Sequence, residues 1–253
     1  MDVNAYLKRI NHKKPIKPDA KTLNELHFAH MITVPFENLD ISLKRPIHID
    51  EQAIWNKIVI NYRGGFCYEL NGLFAWLLKQ IGFAVTYLNA RVYGQDGRLG
   101  IDFDHLALLV QIPGESGRWL ADVGFGDSFN EPLRFEMDIE QIQGLRSYWL
   151  EQVSVGYAVW QRNYDDTRER KYFFDLTPHN FPEEYEAACH YQQMSPESGF
   201  TRSSIISRAT PDGRVSLEDG WFIRTKNGKR KKRSLTDEIE YKKLLKEHFD
   251  VKL

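Results

Sequence analysis

The sequence contains little cysteine and no long apolar run. Cys67 and Cys189 are the only cysteines in 253 residues, which is too few for a disulfide scaffold, so we expect two reduced thiols. No stretch approaches the roughly 18 apolar residues of a membrane span. The first residues, 1–10, lack the basic and then apolar pattern of a secretory signal. These absences favour a cytoplasmic protein without a membrane partner.

A dominant charge is also missing. The 34 basic and 35 acidic residues give a formal net charge of −1, so no overall field would attract nucleic acid. One basic run, residues 226–233, could contact phosphate groups, although such a hairpin tip is more often a solvated surface. It has no supporting basic patch, which argues against nucleic-acid binding. Spacings such as CxxC or HExxH are absent, and we expect no metal.

Apolar periodicity predicts helices in the first third of the chain. Asp19 and Asp50 are suited to cap two of them. The clearest helix begins at Cys67, and Gly82 stands where a helix would stop. Its apolar residues recur at steps of three and four: Leu70, Leu73, Phe74, Leu77, Leu78 and Ile81.

After Gly82 the pattern changes to short segments rich in β-branched and aromatic residues. Turn sequences at 94–97, 113–117 and 163–166 separate them. Consecutive strands with short turns indicate an antiparallel barrel or a strongly curved sheet. Beyond Pro182 we expect a helix, a hairpin at Asn227–Gly228 and a closing helix. The predicted class is α+β: an N-terminal helical bundle (1–82), a central antiparallel β-barrel (83–181) and a C-terminal mixed α/β lid (182–253).

Cys67 occupies a position that suits a nucleophile. The free N–H groups and the dipole at a helix start stabilise an anion, which favours a thiolate. Gly64 and Gly65 let the backbone approach a ligand closely, and Arg63 could pair with Glu69 to brace the turn. The alternative is a buried, inert cysteine, which is the common fate of a free thiol.

A nucleophilic thiol needs a base and a group that orients the base. His105 lies at the start of an apolar strand, and Asp122 ends another strand before a Gly-rich loop. If these strands pair as a hairpin, both residues lie near the same end of it and can form a triad with Cys67. Cys189 is predicted to be core, whereas the three histidines that lack visible partners are predicted to be structural: His27, His30 and His179.

Together, the segments RGGFCYELN (63–71), DHLALLV (104–110) and ADVGFGD (121–127) closely resemble the arylamine N-acetyltransferase family. VPFENLD (34–40) also resembles a family motif, and the resemblance extends over essentially the whole chain. It implies a cysteine-protease-like core and ping-pong acetyl transfer from acetyl-CoA through Cys67 to an arylamine, arylhydrazine or N-hydroxyarylamine. His105 would manage protons and Asp122 would orient it.

The resemblance also implies contacts with the reactants. The backbone N–H groups of Cys67 and Phe103 are candidate oxyanion donors. Phe36 and Phe125 would line an aromatic acceptor pocket, with Phe200 nearer the acyl donor. The implied partners are CoA and a small aromatic amine or hydrazine.

Two alternatives remain open from the sequence. A transglutaminase-like or thiol-hydrolase enzyme uses the same Cys, His, Asp order on a related arrangement of helix and barrel. A non-catalytic member could also retain the fold to bind small molecules.

Overall fold

The computed structural model describes residues 1–253 and places five of eight α-helices before residue 82. Asp19 and Asp50 cap the second and fourth helices as predicted, by accepting backbone N–H bonds from Thr22 and Ala53. A π-helical turn, Asn56–Ile60, extends the fourth helix. The helices are α1 Val3–Arg9, α2 Ala20–Thr33, α3 Leu39–Ser42, α4 Glu51–Trp55, α5 Cys67–Ile81, α6 Glu186–Met194, α7 Gly199–Arg202 and α8 Glu238–Phe249.

Thirteen strands form two sheets, in which all neighbouring strands are antiparallel. They are β1 Phe36–Glu37, β2 Ala84–Val92, β3 His105–Gln111, β4 Arg118–Ala121, β5 Leu133–Arg134, β6 Gln141–Gln143, β7 Arg146–Val153, β8 Gly156–Arg162, β9 Arg168–Phe174, β10 Ile205–Thr210, β11 Gly213–Glu218, β12 Trp221–Lys226 and β13 Lys229–Ser234. The larger sheet has the order β5-β4-β3-β2-β9-β8-β7-β6, and the smaller one has the order β1-β10-β11-β12-β13.

The larger sheet curves into a nearly closed barrel. Its two edge strands are joined through a side chain, because Gln141 on β6 accepts from the Arg134 N–H at 2.8 Å and donates to the Arg134 carbonyl at 3.0 Å. A buried cluster that includes Leu88, Leu150 and Phe174 fills the barrel. The Arg134 N–H and carbonyl at the barrel seam are therefore hydrogen-bonded although β5 and β6 do not pair through their backbones.

Helix α5 lies at the centre of the largest core, a cluster of 37 buried residues. Every residue of α5 from Cys67 to Leu78 is buried, and Gly82 ends the helix at a φ of 106°. The other face of this core comes from strand β3, through Leu106, Leu108 and Val110. The start of α5 is therefore fixed against the barrel.

The predicted α+β class, with helices followed by a barrel, is confirmed. The smaller sheet draws on both ends of the chain, since β1 pairs with β10 through Phe36 and Ser207. Helix α8 covers this sheet with Leu244, Leu245 and Phe249.

Candidate active site

Cys67 is the first residue of α5 and is 3% exposed. The turn before it is held by Glu69, whose Oε2 accepts the Phe66 N–H at 3.1 Å. Lys57 Nζ lies 2.8 Å from the other carboxylate oxygen of Glu69. This ion pair fixes the helix start, where the first N–H groups have no intrahelical acceptor.

Arg63 does not pair with Glu69, so that prediction is wrong. Its guanidinium donates to Glu37 at 2.8 and 2.9 Å and to Asp40 at 3.1 Å. Both carboxylates come from the segment 34–40, which packs beside the 63–65 turn through tertiary contacts that local spacing does not reveal. Arg63 therefore ties strand β1 to the approach to Cys67.

His105 and Asp122 form a buried pair. His105 Nε2 lies 2.8 Å from Asp122 Oδ2, and the two side chains are 3% and 0% exposed. The imidazole also packs edge-on against Phe125, with ring centroids 5.2 Å apart. Because Asp122 engages Nε2, Nδ1 is the ring nitrogen left to meet a reactant.

Asn71, one helical turn after Cys67, holds this pair in place. Its Nδ2 donates to Asp122 Oδ1 at 2.8 Å and to the Leu106 carbonyl at 2.6 Å. Its Oδ1 accepts the Val123 N–H at 2.8 Å. One α5 side chain thus sets both the strand that starts at His105 and the loop that follows Asp122. The α5 periodicity gave no sign of this role, because Asn71 looks like an ordinary polar helix residue.

The loop after Asp122 approaches the start of α5 so closely that it requires glycine. A Cβ on Gly124 would lie 2.8 Å from Cys67 Cα and 2.7 Å from Asn71 Nδ2. The Gly124 N–H also donates to Asp122 Oδ1 at 2.9 Å. Any side chain here would push the helix start and the loop apart.

His27 lies behind the pair and has partners that the sequence did not reveal. Its Nε2 accepts the Asp122 N–H at 3.1 Å, and its Nδ1 lies 2.8 Å from the Asn130 carbonyl. These bonds require the neutral tautomer with the proton on Nδ1. Burial lowers the pKa of His27 to about 4, which keeps the ring neutral. The imidazole therefore bridges the two ends of the loop that carries Asp122.

Cys67 and His105 line one cavity of about 440 Å³, called the Cys67 cavity below. No hydrogen bond joins the thiol to the imidazole in this conformation, although both face the same space. All three phenylalanines predicted to contact reactants are in its wall: Phe36, Phe125 and Phe200. Phe36 and Phe200 pack together at a centroid distance of 6.1 Å. The structure thus brings the predicted side chains to one place.

Phe103 is not free to act as an oxyanion donor. Its N–H donates to Asn89 Oδ1 at 2.7 Å, and its ring packs against His179 and Tyr185. The sequence-based assignment of Phe103 is therefore wrong on this geometry, which leaves the Cys67 N–H as the candidate.

The environment of Cys67 opposes a thiolate that has no counter-charge. Burial raises the pKa of the Cys67 thiol well above its ordinary value, and the carboxylates of Asp104 and Asp122 raise it further. A backbone hydrogen bond from Leu106 acts in the opposite direction. The burial of Cys67 therefore works against the thiolate that its position at the helix start predicts.

The remaining candidates lie away from this cavity. Cys189 is buried in the main core, as predicted. His30 bonds the Tyr6 hydroxyl at 2.8 Å, and His179 lies 2.7 Å from Glu184. Most of the basic run forms the exposed strand β13.

No group of three or more His, Cys, Asp and Glu side chains is arranged to hold a metal ion. No helix combines the length and apolarity that crossing a membrane requires.

Comparison with known proteins supports the sequence resemblance. Residues 19–253 match a family model described as N-acetyltransferase. An arylamine N-acetyltransferase of Escherichia coli is 33% identical over 250 residues, which cover 98% of this chain and 88% of that protein. Human arylamine N-acetyltransferase 1 is 33% identical over 270 residues, covering 99% and 91%.

Solved structures agree over the whole fold. The arylamine N-acetyltransferase of Mycobacterium marinum superposes with a TM-score of 0.93 at 28% identity, covering 99% of this chain and 93% of that one. Its complex with CoA gives a TM-score of 0.92 at the same identity and coverage. The resemblance inferred from the sequence motifs is confirmed, and the chain belongs to the arylamine N-acetyltransferase family, a family of acyltransferase enzymes.

Proposed function

We propose that this protein transfers an acetyl group from acetyl-CoA to an arylamine in two steps, with Cys67 as the nucleophile. The observation that carries the proposal is the buried contact of 2.8 Å between His105 and Asp122 at the wall of the cavity that Cys67 also lines. A thiol, a base and an orienting carboxylate are the groups that acyl transfer requires. The relatives named above supply the reaction class.

In the first step, Cys67 Sγ attacks the thioester carbonyl of acetyl-CoA. The thiol proton passes to His105 Nδ1 as the S–C bond forms, since burial disfavours a free thiolate. The tetrahedral oxyanion accepts the Cys67 N–H at the helix start. Collapse releases the CoA thiolate, which takes the proton back from His105, and leaves acetyl-Cys67.

In the second step, the acceptor amine attacks acetyl-Cys67. His105 takes a proton from the amine nitrogen, and the proton then passes to the departing Cys67 sulfur. Asp122 keeps Nε2 protonated in both steps, so Nδ1 can accept. Phe36 and Phe125 provide flat apolar walls for an aromatic ring, and aromatic contacts add about 0.5–1.5 kcal/mol beyond area burial. We assign Phe200, in the wall of the same cavity, to the acyl donor. We include arylhydrazines among the acceptors through their terminal amino nitrogen, and N-hydroxyarylamines through their hydroxyl oxygen, since His105 can take a proton from either group.

The test is intact-mass analysis after incubation with acetyl-CoA, followed by addition of an arylamine. We expect one acetyl group on the protein, carried by Cys67 and lost to the amine. Cys67→Ser should gain no acetyl group, whereas the matched control Cys189→Ser should gain one.

The same experiment separates the alternatives. A hydrolase or transglutaminase-like enzyme would not be acetylated by acetyl-CoA but would be acylated by a peptide or glutamine donor. A non-catalytic binding protein would carry no adduct from either donor. Either result would refute the proposal.

A further inference from the structure

A network of five buried charged side chains surrounds the start of α5 outside the Cys67 cavity. Three are carboxylates and two are cations, and none of the side chains is more than 14% exposed. None of them belongs to the wall of the Cys67 cavity. We call these residues the charge network: Glu37, Asp40, Lys57, Arg63 and Glu69.

Lys57 joins Glu69 to the rest of the charge network. Its Nζ lies 2.8 Å from Asp40 Oδ2 and 2.8 Å from Glu69 Oε1. Arg63 forms its ion pairs with the other carboxylates, so Lys57 is the only cation within 4.0 Å of Glu69. Lys57 belongs to the π-helical turn Asn56–Ile60, and single π-helical turns are frequent at functional sites.

Glu69 connects the charge network to the nucleophile. Its Oε2 accepts the N–H of Phe66, the residue directly before Cys67, at 3.1 Å. The Phe66 carbonyl in turn accepts the Leu70 N–H at 3.0 Å, so the peptide groups on both sides of Phe66 are held. The second of these peptide groups carries the Cys67 N–H, which is the candidate oxyanion donor. A change at Glu69 therefore alters the direction of that N–H.

We propose that Glu69 is a positioning residue for the acetylation of Cys67, and that it acts only as a carboxylate held by Lys57. This inference rests on the proposed function. An amide in place of the carboxylate could offer its oxygen to only one of two donors, the Phe66 N–H or the Lys57 ammonium. Its NH₂ group would face the other donor. This conflict between buried donors would turn the side chain away and release the start of α5.

The ionisation of Glu69 depends on the same contact. Burial raises the pKa of Glu69 to about 6, although the Lys57 ammonium and the Phe66 N–H oppose this effect. A protonated carboxyl resembles an amide, because one of its oxygens accepts while the other donates. Acetylation of Cys67 should therefore slow as pH falls through about 6. The other charged or titratable groups around the pair are Glu37 on β1, Asp40 on α3, Arg63 before α5 and Cys189 on α6.

The experiment measures single-turnover acetylation of Cys67 by intact mass over a range of acetyl-CoA concentrations. At neutral pH, Glu69→Gln should lower the maximal rate about tenfold, the loss expected when a buried polar group is left unsatisfied. The acetyl-CoA concentration that gives half the maximal rate should stay within about twofold, because the charge network lies outside the cavity wall. Glu25→Gln is the matched control: its carboxylate on α2 pairs with Lys14 at 2.7 Å, and its rate should be normal.

The double variant Lys57→Gln with Glu69→Gln tests whether the two residues act as a unit. The amide oxygen at position 57 can accept from the NH₂ group at position 69, which leaves the oxygen at position 69 for the Phe66 N–H. We expect this variant to recover most of the rate and to lose the fall in rate at about pH 6. Lys57→Gln alone should move that fall to higher pH, because Glu69 loses the charge that lowers its pKa.

Three results would overturn the inference. A normal maximal rate in Glu69→Gln, shown to be folded by thermal unfolding, would mean that Glu69 has no positioning role. A double variant as slow as Glu69→Gln would show that the two residues do not act as a unit. Identical pH profiles for the unmodified protein and the double variant would show that the ionisation of Glu69 does not matter.

Two controls keep the outcomes distinct. If Glu69→Gln alone does not fold, the pH profiles of Lys57→Gln and of the double variant decide the question. If the unmodified protein gains no acetyl group from acetyl-CoA, the proposed function fails. Normal acetylation of the unmodified protein, with an equal rate in Glu69→Gln, removes this inference alone.

Discussion

Replacing Asp122 by asparagine should stop acetyl transfer by changing the tautomer of His105. Asp122 Oδ1 accepts from Asn71 Nδ2 and the Gly124 N–H, at 2.8 and 2.9 Å. Those two donors would select the amide oxygen of the substituted side chain at that position. Its NH₂ group would then lie at the Oδ2 position, 2.8 Å from His105 Nε2, and force that nitrogen to accept. The ring proton would then lie on His105 Nδ1, the nitrogen that must be unprotonated to accept the thiol proton.

If the substituted amide turned the other way, with its oxygen towards His105 Nε2, the original His105 tautomer would be restored, but at a high energetic cost. It would face its NH₂ group towards two buried donors, each costing about 1–3 kcal/mol when unsatisfied. Even the lower figure for both donors, about 2 kcal/mol, leaves only a few per cent of molecules reversed. In a serine-protease triad the same carboxylate-to-amide change lowers kcat about 10⁴-fold, or about 5.5 kcal/mol of barrier. We expect Asp122→Asn to slow acetylation of Cys67 by between about 30-fold, at the lower cost of the two donors, and about 10⁴-fold, at the upper cost of about 6 kcal/mol.

The assay is rapid-quench intact mass with acetyl-CoA in excess. Asp102→Asn is the matched control: it lies three residues before His105, its side chain is 71% exposed and it should acetylate at the normal rate. Thermal unfolding of both variants shows whether the fold survives. Acetylation of a folded Asp122→Asn variant within about tenfold of the unmodified rate would refute the tautomer argument.

Three further changes test the site. His105→Gln removes the base, so alkylation of Cys67 by iodoacetamide should move to higher pH than in the unmodified protein, because burial raises the thiol pKa; identical pH profiles would show that the histidine does not hold the proton. The pKa of His27 is about 4 in the folded protein against 6.5 when unfolded, so its contribution to stability is complete above pH 6.5 and is lost as pH falls towards 4. Between pH 7 and 5 the unmodified protein should therefore lose about 2 kcal/mol more unfolding free energy than His27→Gln, in which His30 still titrates. Equal losses of unfolding free energy for the two proteins in urea denaturation would contradict this. Gly124→Ala should displace the start of α5 and cut Cys67 acetylation at least tenfold. The control Gly117→Ala, with nothing within 4 Å of its added Cβ, should not share this penalty.

Local signals in the sequence were sufficient for the elements that carry the site. The α5 apolar period and Gly82 define a helix because both act within one segment, and Gly82 takes the left-handed φ that ends it. The strand starting at His105 and the loop after Asp122 could be placed because a short turn joins β3 to β4. Together these predict that Cys67, His105 and Asp122 lie near one another.

Contacts between distant segments could not be read in the same way. Arg63 looked like a partner for Glu69, six residues away, but it bonds Glu37 and Asp40 instead, since β1 packs alongside the 63–65 turn. The sequence showed no partner for His27, because the Asp122 N–H and the Asn130 carbonyl that bond its ring lie about a hundred residues further along the chain. Such pairings depend on how finished elements pack, and one sequence carries no local trace of that packing.

Because β1 pairs with β10, residues from the last third of the chain form part of the wall of the Cys67 cavity. Phe36 faces Ser207 across that ladder, and Phe200 and Ile205 complete the same wall. During synthesis, a chain released only as far as β9 would already hold Cys67, His105 and Asp122, yet one side of their compartment would be missing. Because contacts across about 170 residues form late in folding, we expect the ribosome-bound protein to stay inert until its last third has emerged.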